Sequence, residues 1–270
     1  MVWAGEIGEG YRILFEAHKE CEVKGIQKVE IYKTKFGKML VIDDCIQLIE
    51  KFEKTYHEML VHVPMFTHEN PKEVLIIGGG DGCTLREVLK HEPDRVVMVE
   101  IDKNVIELCR KCLKIENGAF EDKRVELRIE DGIEYVKNCK EEFDVLIVDG
   151  TDPSPTSISL FSEEFFQSCS KISDVFCMQS QSPAFQEEYV KLIAKNTSFF
   201  KNRAFYLSCI PMYPGGIWSF VIASNSIDVR PNYNKLKDEF EKRKIETEHY
   251  SPEVHLSAFV LPKWISELVD

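Results

Sequence analysis

Hydrophobic and polar positions divide the chain into two parts of different rhythm. Within residues 1–50 the apolar positions alternate or run in short stretches, as in β-strands. Residues 27–32 and 38–42 are two such stretches, joined by Thr34-Lys35-Phe36-Gly37 as a turn. Asp43-Asp44 then leads to Ile46-Gln47-Leu48-Ile49. The pattern predicts a small antiparallel β-unit. Over residues 54–66 the apolar positions take a helical period, which polar residues and Pro71 end. From there the rhythm changes. Val74-Leu75-Ile76-Ile77 is an unbroken apolar strand, followed by a glycine loop and a helix over 84–91. A strand at 95–100 precedes a helix through Cys112, a strand at 125–129 precedes a short helix from Gly132, and a fourth strand spans 143–148. Strands apolar on both faces and alternating with helices indicate a parallel sheet covered on both sides. A helix at 162–169, a strand at 175–178 and a helix at 185–194 follow, and two strands at 204–209 and 218–223 close the sheet. A charged helix at 232–244 and a terminal segment at 255–261 complete the chain. The division expected is an N-terminal β-strand domain, residues 1–52, and a catalytic domain, residues 53–270.

Composition narrows the class. With 270 residues, 44% hydrophobic and 30% charged, the chain can bury a substantial core and reads as globular. No apolar run is long enough for a bilayer. Residues 1–10 carry Glu6 and Glu9 and no basic residue, the wrong charge for a secretory leader, so a cytoplasmic location is expected. A net charge of −12 disfavours nucleic acid and favours small polycations. The nine cysteines are scattered. Only Cys109 and Cys112 form a C-x-x-C, inside a helical stretch, so free thiols are expected and no metal site.

The chemistry gathers at strand ends. Gly78-Gly79-Gly80-Asp81-Gly82 lies between strand and helix, and Glu100 ends the next strand. Glycines let backbone approach a ligand at the carboxyl edge of the sheet, where open α/β folds bind ligands. An acid about twenty residues on can accept hydrogen bonds from ribose hydroxyls. Asp81 narrows the choice. Its carboxylate would repel a pyrophosphate, which disfavours an NAD-linked oxidoreductase, and it suits a nucleoside whose 5′ substituent ends in a cation, as in S-adenosyl sulfonium compounds. Glu130-Asp131-Gly132 offers an acceptor to an adenine amino group, although Asp131 also reads as a helix N-cap. Asp149-Gly150-Thr151-Asp152-Pro153 ends the fourth strand. Alone it would read as a turn; beside a sulfonium site, one carboxylate can hold and deprotonate an attacking ammonium and the other fix the remaining charge. The sulfonium is already a good leaving group, so neither metal nor covalent intermediate is needed.

These strings, with Tyr56-His57-Glu58-Met59-Leu60, Val99-Glu100-Ile101-Asp102, Leu160-Phe161-Ser162-Glu163-Glu164-Phe165, Tyr213-Pro214-Gly215-Gly216 and Glu253-Val254-His255, resemble the spermidine synthase family from about Gly25 to Lys263. The resemblance implies a Rossmann-like, class I methyltransferase-type α/β sheet preceded by the small β-unit. It implies transfer of the aminopropyl group of decarboxylated S-adenosylmethionine, a co-substrate, to a diamine, with release of methylthioadenosine and no other cofactor. It implies that Gln27, Gln47, Glu100 and Asp131 contact the adenosyl part, and that His57 and Asp81 hold the aminopropyl ammonium. Asp149 would be the base, helped by Tyr56. Asp152, Gln179 and Tyr213 would line the acceptor channel, with Gln181 at its distal end. For Tyr56 and His57 the residues alone favour packing of an amphipathic helix, and for Tyr213 a turn aromatic. A homodimer or homotetramer is implied, with the β-unit a contact surface.

Three departures bear on the acceptor. Gly150 stands where the family usually has Ser, Ser154-Pro155-Thr156-Ser157-Ile158-Ser159 replaces the usual continuation, and Gln179-Ser180-Gln181 replaces Gln-x-Glu. An altered acceptor is therefore expected, and the connection before the strand near Ser173 is short. Two other readings use the same residues. An S-adenosylmethionine-dependent amine N-methyltransferase would set the donor's carboxylate near Asp81, an electrostatic cost. A non-catalytic polyamine- or nucleoside-binding protein would have little use for Asp81, Asp149, Asp152 and Tyr56 together.

Overall fold

The computed structural model describes residues 1–8, 10–154 and 157–270. Its first sheet is antiparallel and pairs in chain order: β1 (Val2–Gly8), β2 (Tyr11–Lys24), β3 (Lys28–Thr34), β4 (Gly37–Ile42) and β5 (Cys45–Ile49). The last three are the stretches expected. At the β3–β4 turn Thr34 Oγ1 accepts from Phe36 N–H (3.0 Å) and donates to the Gly37 carbonyl (2.8 Å). The first two strands carry a fainter signal, because β2 faces solvent through Arg12, Leu14, Glu16 and His18.

Helix α1 (Lys54–Thr67) joins the two halves and is buried on every side from Tyr56 to Phe66, so it is not the amphipathic surface helix its period allows. Its buried carboxylate, Glu58, accepts from the backbone N–H groups of Glu248, His249 and Tyr250. That explains how a charge is tolerated there.

The second sheet contains β6 (Glu73–Gly78), β7 (Arg95–Glu100), β8 (Val125–Ile129), β9 (Phe143–Asp149), β10 (Ser173–Gln179), β11 (Asn202–Cys209) and β12 (Ile217–Ser224), in the order β11-β12-β10-β9-β6-β7-β8. All neighbours are parallel except β12 with β10 and β11. Val74, Ile76, Val145 and Ile147 enter one core, while Leu75, Ile77, Leu146 and Val148 enter the other. Burial of alternate side chains in opposite layers is why these strands are apolar throughout. The described residues hold eight further α-helices: α2 (Cys83–Leu89), α3 (Lys103–Leu108), α4 (Gly132–Asn138), α5 (Glu163–Ile172), α6 (Glu187–Asn196), α7 (Tyr233–Arg243), α8 (Pro252–Ala258) and α9 (Lys263–Val269). Helix α3 runs on into a π-helical turn, Cys109–Leu113. Helix α5 passes into β10 without an intervening loop, which accounts for the short connection at Ser173. None of the described helices is long and apolar enough to cross a membrane.

The expectation of free thiols throughout is corrected at one pair. Cys21 on β2 and Cys112 in the π-helical turn form a disulfide across a sequence separation of 91, and the other seven cysteines are free. Spacing could not show this, because the C-x-x-C is divided: Cys112 faces β2, while Cys109 is buried in the core. The same seam is held by Lys38 Nζ, which donates to the Cys112 carbonyl, and by Gln27 N–H, which donates to Asp102 Oδ2 (3.0 Å).

Candidate active site

A cavity opens at the carboxyl ends of β6, β7 and β9, where the strand order reverses between β6 and β9. Open parallel sheets place ligands at such a switch point. The antiparallel sheet contributes the facing wall through Gln27, Leu40, Ile42, Ile46 and Gln47. Of the residues selected from sequence, Tyr56, His57, Asp81, Glu100, Asp131, Asp149, Asp152, Gln179, Tyr213, Gln27 and Gln47 all line this cavity; Gln181 does not.

The glycine loop is tight for a reason beyond ligand approach. Gly78 has φ +83°, and a Cβ there would lie 2.3 Å from the Asp149 carbonyl oxygen. Glycine therefore lets the ends of β6 and β9 close on each other, and Gly79 N–H donates to that same carbonyl (3.0 Å).

Asp149 is set by this approach and by two hydroxyls: Tyr56 OH donates to Oδ1 (2.8 Å) and Thr84 Oγ1 to Oδ2 (2.6 Å). Burial and the neighbouring Asp81 raise its pKa, against the pull of His57, Thr84 and Tyr56. Asp81 Oδ1 accepts from Cys83 N–H (2.7 Å), and Oδ2 faces His57 Nε2 at 3.8 Å. Although burial opposes it, His57 and the N–H of Cys83 hold Asp81 below its ordinary pKa.

His57 belongs to a row of alternating charges. Its Nδ1–H donates to Glu53 Oε2 (2.8 Å), and Arg86 Nη2 donates to both Glu53 oxygens (2.9 and 3.0 Å). Burial works against a charged imidazole, but Asp81 and Glu53 on either side raise its pKa to about 10. His57, Asp81 and Asp149 present ligand-type atoms within 4.8 Å of one another. With both His57 nitrogens turned to carboxylates, it is the two acids that are left to receive a cation.

At the carboxyl end of β7, Glu100 is raised to about 7 by burial, against the N–H of Asp102, which donates to Oε1 (3.0 Å). Asp131 caps α4 by accepting from Ile133 N–H (2.8 Å) and also lines the cavity. Gln27 Nε2 donates to Asp43 (3.4 Å), and Gln47 Nε2 donates to the Cys45 carbonyl (3.2 Å).

At the opposite end, burial raises Asp152 to about 6, with Glu6 adding to the shift; Gln186 Nε2 donates to its Oδ2 (2.9 Å). Glu6, from β1, is 4% exposed. It accepts from Tyr11 OH (2.5 Å) and from Ile46 N–H (3.3 Å), and burial raises its pKa. Gln179 Nε2 donates to the Gly150 carbonyl (3.3 Å), and Tyr213 OH donates to the Gln47 carbonyl (2.6 Å). Gln181 lies behind this wall beside Asp152, with its N–H donating to Gln179 Oε1 (3.1 Å). A side chain at Gly150 would press on Leu160 Cδ1 at 3.0 Å, so the departure from Ser matches its neighbour. Pro155 and Thr156 of the altered loop lie outside the described residues.

Residues 53–234 match the spermine/spermidine synthase domain. The chain belongs to the spermine/spermidine synthase family. It is 51% identical to a polyamine aminopropyltransferase of Archaeoglobus fulgidus over 100% of this chain and 99% of that protein. A second such protein, of Thermoanaerobacter sp. (strain X514), is 43% identical over 87% of this chain and 85% of its own. Among solved structures, a spermidine synthase in complex with the transition-state analogue AdoDATO superposes with a TM-score of 0.93 at 36% identity, covering 99% of this chain and 94% of that one. Spermidine synthase from Thermotoga maritima gives 0.90 at 36% identity, covering 99% and 93%.

Within this family scaffold, several residues that shape the site escaped the sequence reading. Thr84 carries the one signal that could have found it: a hydroxyl in the first turn of the helix that opens from the glycine loop. Glu53 and Arg86 act on His57 from behind the wall. Glu6 and Gln186 reach the site from distant segments, and no local pattern marks them.

Proposed function

We propose that this chain is a polyamine aminopropyltransferase of the spermidine synthase type. The observation that carries the reading is Asp149, half-buried, raised in pKa and fixed by Tyr56 and Thr84, next to an Asp81 held below its ordinary pKa. Glu100 and Asp131 take the adenosine of decarboxylated S-adenosylmethionine, Gln27 and Gln47 close over it, and Asp81 holds the ammonium of the aminopropyl arm. The positive sulfur faces an acid-lined wall. His57 faces Asp81, and the arriving ammonium shares that carboxylate with it, while Glu53 keeps its own hold on the imidazole.

The acceptor amine enters as an ammonium beside Asp149 and Tyr56. Asp149 accepts one proton, the freed nitrogen lone pair attacks the carbon next to sulfur, the new N–C bond forms, and the C–S bond breaks with its electron pair going to sulfur. Methylthioadenosine leaves as a neutral thioether. Asp152 and Glu6 hold the far ammonium of a diamine, with Gln179 and Tyr213 along the channel. The donor is a co-substrate, and nothing in the sequence of bond changes calls for another cofactor.

Decarboxylated donor incubated with putrescine, cadaverine, agmatine and spermidine, with analysis of both products, tests the reading. Methylthioadenosine and an aminopropylated amine are expected. Formation of S-adenosylhomocysteine from intact S-adenosylmethionine would make the chain a methyltransferase instead, and binding without turnover would make it a non-catalytic homologue. A clean preference for putrescine alone would remove the altered-acceptor reading of Gly150 and Gln181.

We also propose a homodimer or homotetramer in which the outer face of β1 and β2 meets a second copy. Trp3 is 71% exposed there and Ile7 65%, with Leu14 alongside on β2. Sedimentation velocity of wild type against Trp3→Glu and Ile7→Glu would show the loss of assembly. A division at residue 52 and a cytoplasmic location complete the proposal. The Cys21–Cys112 bridge is the feature to check in such a compartment, where thiols are generally kept reduced.

A further inference from the structure

Glu6 and Asp152 mark the far end of the acceptor channel, and two aromatic side chains stand immediately behind them. Tyr11, at the start of β2, donates its hydroxyl to Glu6 Oε1 (2.5 Å); burial raises its pKa, with Glu6 and then Asp152 adding to the shift. Phe185 lies in the segment between β10 and α6, next to Gln186, whose amide donates to Asp152 Oδ2 (2.9 Å). The two rings meet edge to face, with centroids 5.3 Å apart. On its other side Phe185 rests on Gly215, where a Cβ would lie 2.7 Å from its ring. The contact therefore bridges the N-terminal hairpin and the 213–216 turn across the end of the channel. Neither ring lines the cavity itself. Phe185 is 47% exposed, an unusual position for a ring with so specific a contact set.

We propose that the Tyr11–Phe185 clasp sets the length of the acceptor. It seats a diamine whose second ammonium reaches Glu6 and Asp152, and it excludes amines that continue beyond them. Spermidine extends past a diamine by an aminopropyl arm of roughly 5 Å, four bonds of about 1.5 Å each advancing about 1.25 Å along a zigzag. That arm would have to pass through the space the two rings fill. The inference rests on the aminopropyltransferase reading and concerns only the distal wall, away from the donor.

The test is kcat/KM for putrescine and for spermidine with decarboxylated donor, in wild type, Phe185→Ala and Tyr11→Phe. Wild type is expected to favour putrescine. Phe185→Ala should raise the spermidine-to-putrescine ratio by about ten-fold or more, since steric discrimination against one extra group is of that order. Tyr11→Phe keeps the ring and should leave the ratio within about two-fold of wild type, because losing the hydroxyl's hydrogen bond to Glu6 affects the hold on both acceptors alike. Three results overturn the clasp: a wild type that already takes spermidine as readily as putrescine, an unchanged ratio in Phe185→Ala, or a rise in Tyr11→Phe equal to that in Phe185→Ala, which would assign the selectivity to the charge of Glu6. Calorimetric binding of methylthioadenosine, expected to match wild type in both variants, confirms an intact donor half. A wild type that transfers to no amine at all would instead remove the parent reading.

Discussion

Asp149→Asn separates chemistry from architecture in this site. The amide oxygen can still accept from Tyr56 OH, now at 2.8 Å from Oδ1, and the amide nitrogen can donate to Thr84 Oγ1, which lies 2.6 Å from Oδ2 and is free to turn its own hydrogen away. The Gly79–Asp149 backbone bond is untouched. What disappears is a proton acceptor and one charge. Loss of a positioned general base lowers the rate about 10²- to 10⁴-fold. Loss of a charged hydrogen bond to the acceptor ammonium weakens binding by about 1.5–3 kcal/mol. The expected result is a kcat about 10³-fold lower, a raised acceptor KM and an unchanged donor KM, because the adenosyl contacts lie elsewhere.

Stability runs the other way. The folded-state pKa of Asp149 is raised, so the native protein holds this proton more tightly than the unfolded chain does. For a carboxylate shifted upward, its contribution to stability is most favourable when protonated and declines as pH rises through the unfolded and then the folded pKa. Once pH has risen past the folded-state pKa the ionised side chain is therefore a burden on the fold, and there Asp149→Asn should melt at the same temperature as wild type or higher. Discontinuous assay of methylthioadenosine release across pH, with thermal unfolding on the same samples, gives both readouts. Wild-type activity should rise with pH as Asp149 ionises, and this limb should vanish in the variant. A kcat within about two-fold of wild type would exclude Asp149 as the base, and a large drop in melting temperature would show its role to be structural.

Glu100, raised to about 7, should make donor-half binding pH-dependent: methylthioadenosine affinity is expected to fall as pH drops below that value, because the protonated acid accepts fewer hydroxyl hydrogen bonds. Glu100→Gln should weaken binding about ten-fold or more and flatten that dependence, as calorimetry between pH 5.5 and 8.5 would show. Thiol titration of the unfolded protein should count seven free cysteines before reduction, all nine after it. Cys21→Ser, opening a link across a separation of 91, should lower unfolding free energy by up to ~4.6 kcal/mol on the chain-entropy relation; denaturant titration checks it. Gly78→Ala forces a side chain to φ +83° and within 2.3 Å of the Asp149 carbonyl, and should cost about 2–4 kcal/mol in the same titration while lowering kcat.

That one half of the cavity, the half proposed for the donor, gathers its residues was legible in the sequence because its parts are local. Gly78, Asp81, Glu100, Asp131 and Asp149 each stand at or just beyond the end of one parallel strand, and a right-handed alternation of strands and helices brings such ends to one edge without further information. The acceptor half is assembled differently. Glu6 comes from β1, Asp152 from the loop after β9, Gln186 from the start of α6 and Tyr213 from the turn between β11 and β12. In sequence Glu6 is one acid among 46 Asp and Glu residues, and Cys21 is one thiol among nine. What selects them is the packing of β1 and β2 over the mouth of the large sheet, a long-range contact that no local period encodes. The same difference has a functional consequence. Residues proposed to bind the donor are tied to the core strands, where a change at Gly78 or Glu100 disturbs the sheet itself. Residues that close the acceptor end sit on a hairpin and a connecting segment, tied to the core through Glu6 and Gln186. Substitution there can alter which amine is accepted while leaving the nucleoside site and the base in place, which is how one scaffold can keep its donor and vary its acceptor.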